Sequence, residues 1–367
     1  IHARPETAWQ EEKAARWTGQ ALDALGYTVV PGAGGLPTAF TATLNTGPLH
    51  VGVCAEYDGL PGLGHACGHD VIAASAVGAA AGPAPVADEL GLRVTVFGTL
   101  AEEGGGRIHP LERGVFDGVH LAMMCHPGPV DVAEADPFAV AHCAVDHRGR
   151  AAHAAAHPEQ GRNAADAFTV AQVAIGLLRR QLPSGVRVHG VMTSADEAPN
   201  AIPEHTRGRR YARAGTLGEP AELQQRVERC FAAGAHATGC ALTIEQESPP
   251  YAEFRNEHAL LAAYRRNAGA LGRMFAEPGD PAARMNRAST DMGNVSQTVP
   301  AIHPCPGIGS LPAVDHQKEF AAHAAGPAAD RAVLGGATAP ALTAADAAAD
   351  TAQWERLLAG RDTPARG

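Results

Sequence analysis

Short apolar runs and helical periodicities alternate along the first third of the chain. Trp17, Ala21, Leu22 and Leu25 recur at helical spacing, which predicts a helix over 7–25 with Thr7 as its cap and Gly26 as its stop. Residues 39–44 and 50–55 read as strands, and a Gly/Pro-rich loop over 56–68 leads into an Ala-rich helix at 70–81. The run RVTVFGTL at 93–100 reads as a buried strand, and 119–125 as another. Strands alternating with helices predict an α/β sheet, where functional groups gather beyond the carboxyl ends of strands. The rhythm changes near Phe138. Strand 139–148, helix 163–182, strands 186–193 and 207–213, helix 219–235 and strand 241–246 follow one another. This βαββαβ order predicts a compact, ferredoxin-like α+β unit. Past Pro249 and Pro250 a helix at 257–271 resumes the earlier pattern, and the Ala-rich tail predicts a helix over 342–358. The expected architecture is one α/β domain with a mixed sheet, 1–137 and 249–367, interrupted by an inserted domain, 138–248.

A length of 367 residues agrees with two domains. Hydrophobic residues at 45% against 19% charged supply a core and argue against wholesale disorder. The net charge of −10 lacks the basic field a nucleic-acid binder needs. No apolar run is long enough to span a membrane, and no signal-like segment is visible. Seven cysteines at irregular spacing make a poor disulfide framework, so reduced thiols in a cytoplasm are expected.

Three elements carry candidate chemistry. Cys67 and His69, two apart in a Gly-rich loop before a helix, can turn toward one divalent ion; a buried thiol beside a helix-capping turn fits the local pattern equally. Glu102 and Glu103 directly follow the buried 93–100 strand and precede three glycines. One such carboxylate can hold a metal while its neighbour serves as general base, although acidic pairs are commonly just solvated. His126 stands at another strand end, and sharing that location gives it more than a structural reading.

The stretches AEYDGLPGLGHACGHD, AEEGGG, AMMCHP and STDMGNVS, in that order, resemble the M20 metallopeptidases, and within them the amidohydrolase branch of aminoacylases, p-aminobenzoyl-glutamate hydrolases and related dipeptidases. The resemblance covers about residues 9–320. It implies a metal-dependent exopeptidase-like catalytic domain carrying two divalent ions (zinc or manganese, with cobalt and nickel tolerated) and an inserted lid that makes a homodimer. It implies Cys67 as the bridging ligand, His69 and His126 completing one site, and Glu103 with His316 completing the other. His303 competes with His316 as the distal ligand and is expected instead to line the substrate pocket. Glu102 is implied as general base, then acid, and Asp58 as a support behind the ligand loop. Glu56 stands where many relatives carry a ligand histidine. In the inserted domain, GRAAH matches a motif whose histidine, here His153, stabilises the oxyanion from the partner subunit, and Asn200 and Arg213 match positions that hold a substrate carboxylate. The implied activity is hydrolysis of an amide in an N-acyl or aminobenzoyl amino acid or a dipeptide. A deaminase on the same scaffold and a catalytically decayed metal-binding interaction protein are the competing readings; a structural zinc site would close on local ligands instead.

Overall fold

The computed structural model describes residues 1–360 apart from Glu197, Pro278 and the side chain of Met285. The chain divides into two compact units, 1–137 with 254–367, and 138–253. Along the first part of the first unit run α1 (Glu12–Asp23), β1 (Thr28–Pro31), β2 (Phe40–Leu44), β3 (Leu49–Glu56), α2 (His69–Ala81), β4 (Leu92–Thr99), α3 (Ile108–Glu112) and β5 (Leu121–Met123). The second unit holds β6 (Ala139–Arg148), α4 (Ala164–Arg179), β7 (Arg187–Ala195), β8 (His205–Ala214), α5 (Gly218–Thr238) and β9 (Ala241–Gln246). The first unit then resumes with α6 (His258–Ala270), α7 (Met292–Ser296), β10 (Ala301–Ile302), α8 (Lys318–His323), α9 (Pro327–Ala349) and α10 (Thr351–Ala359).

The first unit is built on a six-stranded sheet ordered β1-β2-β4-β3-β5-β10. Its β4, β3, β5 and β10 run parallel, and β1 and β2 are antiparallel at one edge. All eight residues of β3 are buried, and in β4 only Arg93 is exposed, as expected of central strands covered on both faces. Alanines line α2 almost all round, so α9 packs closely on it; a Cβ on Gly78 would come within 2.6 Å of the Ala337 methyl. An added methyl there would cost about 1–3 kcal/mol of overpacking.

The second unit is the expected βαββαβ fold, a four-stranded antiparallel sheet ordered β7-β8-β6-β9. Its helices α4 and α5 bury Phe168 and Phe231 against Cys143, Val145, Val188 and Ala212. The Asn163 side chain caps α4 by accepting from the backbone N–H groups of Ala165 and Asp166. Tyr251 exchanges backbone hydrogen bonds with Val140, which keeps residues 249–253 with this unit.

Three local expectations differ. Thr7 does not cap α1 but bridges to Gly59, and the helix starts at Glu12. The Ala-rich tail is two helices, not one over 342–358. The first starts upstream at Pro327, whose missing N–H costs nothing in a first turn, and Asp350 breaks the pair by capping α10. Strands β1 and β10 went unread, because one is a short, mostly exposed edge and the other spans two residues. Among the described residues no helix is long and apolar enough to cross a membrane.

Candidate metal centre

The parallel strands deliver their carboxyl ends to one edge of the first sheet. Glu56 ends β3, Glu102 and Glu103 form a 3-10 turn just past β4, His126 lies just past β5, and His303 follows β10. Between Cys67 and His69 the chain turns at Gly68 with φ +77, where a Cβ would stand 2.4 Å from Pro127. A side chain there is excluded on both counts, so thiol and imidazole can approach His126 together. His316 comes from far down the chain, and its backbone N–H donates to the Ala66 carbonyl at 2.8 Å. It does so with φ 67, a left-handed backbone uncommon outside glycine.

Ligand atoms of Cys67, His69 and His126 lie within 4.8 Å of one another, and so do those of Cys67, Glu103 and His316. The two triads share the Cys67 sulfur. A third group, His69, Glu102 and Glu103, places Glu102 beside both. Cys67 Sγ is 3.5 Å from His126 Nε2, and His316 Nε2 is 3.3 Å from Glu103 Oε1. His126 Nδ1 faces the Pro127 carbonyl at 2.8 Å, and His69 Nδ1 faces Asp58 Oδ1 at 3.0 Å. Each ring thus spends its Nδ1–H on an oxygen and turns Nε2 inward, the arrangement that orients imidazole ligands. His69 Nε2 is buried without a hydrogen-bond partner. Cys67, His69 and Glu102 are buried, whereas Glu103 is half-buried and His316 exposed, so the cluster opens on that side. Soft thiolate, imidazole and carboxylate donors, one of them orphaned, fit borderline divalent ions.

Electrostatics point the same way. Burial pushes the Cys67 thiol up, but the facing His69, His126 and His316 outweigh it and hold it well below its usual range. Burial would lower His126, yet Cys67 lifts it to about 9. Cys67 and Glu103 together raise His316 to about 11. Burial also opposes charge on Asp58, but the His69 ring holds its carboxyl below the usual range. The neighbouring glutamates diverge. Burial, then Glu56, Glu103 and Asp291, drives Glu102 well above the carboxylate range; for Glu103 the burial effect is overcome by His316. Adjacent carboxyls pushed apart in this way are suited to different tasks. His303 is buried, its ring 5.8 Å from that of His126, and burial with that neighbour keeps it neutral at about 3. It carries an unpartnered Nε2 and is not in either triad.

Beneath the cluster lies a network the sequence did not reveal. The fully buried Arg107 guanidinium contacts Glu56 Oε1, reaches Asp291 Oδ1 at 2.9 Å and donates to Thr99 Oγ1 at 3.1 Å. Burial opposes its charge, but Asp291 and Glu56 keep it firmly protonated. Glu56 Oε2 in turn stands 3.5 Å from His69 Nε2. Glu56 is therefore occupied with Arg107. The only available signal was the pairing of Arg107 after GGG with Asp291 inside STDMGNVS, and nothing local says that two such distant residues meet.

The remaining candidates lie in the second unit. His153 is exposed, and its Nδ1 accepts from the backbone N–H groups of Ala155 and Ala156 at 3.3 and 3.1 Å, which leaves Nε2 as the donor. Asn200 is beside it, its carbonyl accepting from Ala154 N–H at 2.9 Å. Arg213 lies near the far end of β8 and donates to His189 Nε2 at 3.1 Å. That is roughly 25 Å along the strand from the His205 end, where the His153–Asn200 loops gather.

No known family model matches the chain. It is 37% identical over 362 residues to the Xaa-Arg dipeptidase of Mus musculus, covering 94% of this chain and 83% of that protein. It is 30% identical over 267 residues to a subunit of the p-aminobenzoyl-glutamate hydrolase of Escherichia coli, covering 67% of this chain and 54% of that protein. Its fold is similar to the crystal structure of a dinuclear metal-binding M20 peptidase from Bacillus subtilis, with TM-score 0.62 and 18% identity over 94% of this chain and 95% of that one.

Proposed function

As the chain belongs to the M20 family of metallopeptidases and amidohydrolases, we propose that it hydrolyses the amide bond of a dipeptide, or of an N-acyl or aminobenzoyl amino acid, at a dinuclear divalent-metal centre. The observation that carries the reading is the pair of triads sharing Cys67, with Glu102 buried alongside. Zinc or manganese suits the donor set, held by Cys67, His69 and His126 on one side and Cys67, Glu103 and His316 on the other. When bound, two such ions supply a water of lowered pKa and polarise the substrate carbonyl.

The protein's own groups do the rest. Glu102, whose ionised form is favoured by divalent ions held beside it, takes the water proton on its carboxylate and passes it to the leaving amine, a role typically worth about 10²–10⁴-fold. Asp58 and the Pro127 carbonyl hold the His69 and His126 rings by Nδ1. His153 Nε2–H is the oxyanion donor, worth about 10²–10³-fold, and Arg213 receives the substrate carboxylate, with His303 lining the pocket. A dipeptide spans only about 7 Å, so His153 and Arg213 of one chain cannot serve one substrate. A homodimer in which the partner supplies His153 together with the adjacent Asn200 resolves this. Exposed Val170, Val173 and Leu177 recur along one side of α4, and Val191 is exposed on edge strand β7, an apolar surface suited to a second copy. Reduced thiols agree with a cytoplasmic location.

The test is Glu102→Gln assayed on alanyl-arginine, aminobenzoyl-glutamate and N-acetyl amino acids, scoring amino acid against ammonia released. The variant should retain two metals and lose about 10²–10⁴-fold in kcat. Normal turnover by that variant, or ammonia as the main product, would refute the proposal.

A further inference from the structure

Glu102 and Glu103 sit in a turn whose entry is strained. Ala101, immediately ahead of them, is fully buried and holds φ 50, ψ 47, a left-handed conformation that costs a residue with a Cβ. Its carbonyl is already committed, accepting from Gly104 and Gly106 N–H at 2.9 Å each. Its own N–H donates at 2.8 Å to Oε1 of Glu11, a carboxylate with no exposed surface that comes from ninety residues away. The same Oε1 accepts from Trp9 N–H at 2.9 Å, and Oε2 accepts from Thr38 Oγ1 at 3.0 Å. The segment leading into Glu11 is itself tied to the ligand loops. Gly59 N–H donates to Glu6 O at 2.7 Å, and His2 Nδ1 meets Asp70 Oδ2 at 2.6 Å. Trp9, left-handed at φ 71, lies over Gly104.

A buried carboxyl group with three bonds is more than a helix start requires. We propose that Glu11 is a positioning residue, fixing the Ala101 backbone so that the next residue, Glu102, is aimed at its water. This rests on the reading of Glu102 as the base. Glu11 touches neither substrate nor metal and acts only through the turn. A displacement of about 1 Å in a reacting group commonly costs about 10²-fold in rate.

The geometry separates aiming from mere stability. Glu11→Gln keeps Oε1 for Ala101 and Trp9, and its amide can donate to Thr38, whose hydroxyl reverses. Glu11→Asp is one methylene short and cannot reach Ala101 and Thr38 together. Thr38→Val removes the bond on the far oxygen and leaves Ala101 held. All three, with Glu102→Gln, are assayed as metal-loaded protein on alanyl-arginine, with metal content and unfolding temperature measured beside kcat and KM. Glu11→Asp should lose roughly 10–100-fold in kcat, with KM within about threefold and two metals retained. Glu11→Gln should keep kcat within about threefold, and Thr38→Val should lower the unfolding temperature while sparing kcat. Native-like kcat in Glu11→Asp, an equal loss in Thr38→Val, or a Glu11→Asp chain that does not fold would overturn the proposal. If Glu102→Gln stays active, the assignment of the base fails instead, whatever the Glu11 variants do.

Discussion

Replacing Arg107 with Met removes a guanidinium from a buried acidic cluster while roughly conserving volume. Ligand oxygens of Glu56, Glu102 and Asp291 lie within 4.8 Å of one another. At an effective dielectric near 20, one such pair of full charges repels by about 3.5 kcal/mol. Partial protonation relieves part of this, so the expected loss is that of a broken buried ion pair, about 3–5 kcal/mol. In a domain of this size that is a drop of about 6–20 °C in Tm. The sign of the pH dependence follows. Asp291 already stands at about 7 with Arg107 present, because burial and then Glu56 raise it against the guanidinium. Without Arg107 the folded cluster binds protons still more readily than the unfolded chain, whose carboxyls titrate near 4. Stability then falls as pH rises from that unfolded value through the raised folded ones. Urea unfolding of Arg107→Met and the native chain at pH 5.5 and 8 should show the larger deficit at pH 8. A deficit under about 1 kcal/mol at pH 8, or one that grows toward acid, would refute the reasoning.

Asp58→Asn keeps an acceptor for His69 Nδ1 but not the charge, and should weaken metal affinity by about 10–100-fold in a competition titration against a chelator. Unchanged affinity would count against Asp58 as the support of that ring. Chelation followed by mild peroxide should inactivate the enzyme so that metal restores activity only after a thiol reductant, since the facing histidines draw the Cys67 thiol well below its usual range; recovery on metal alone would contradict a liganding thiol. Val173→Asp with Leu177→Asp on the exposed side of α4 should yield a monomer by sedimentation, with activity lost; a dimer that survives places the interface elsewhere.

The chemistry-bearing pairs were legible where neighbours in sequence are neighbours in space. Cys67 with His69, and Glu102 with Glu103, are two and one residues apart, and the buried strands β3 and β4 announce which edge they occupy. The inserted βαββαβ unit was legible because each element is long and periodic. Long-range acquisitions were not legible from local pattern. His316, which reaches Cys67 through a backbone bond to Ala66, came only from the family resemblance, and Arg107, matched to Asp291 across most of the first unit, came from neither. Glu11 carries no local signal of its role, and only the fold shows that it holds Ala101. Nor does periodicity reveal that α9 tolerates Pro340 within it, since tertiary packing against α2 outweighs the propensity.

The proposed centre requires one sulfur shared by two ions. Crystals of the metal-loaded protein, measured at the absorption edge of the bound metal, show whether it is. Two anomalous peaks are expected about 3.5–4 Å apart, both within bonding distance of Cys67 Sγ, one beside His69 and His126 and the other beside Glu103 and His316. A single peak, or peaks that leave the Cys67 sulfur uncoordinated, would contradict it.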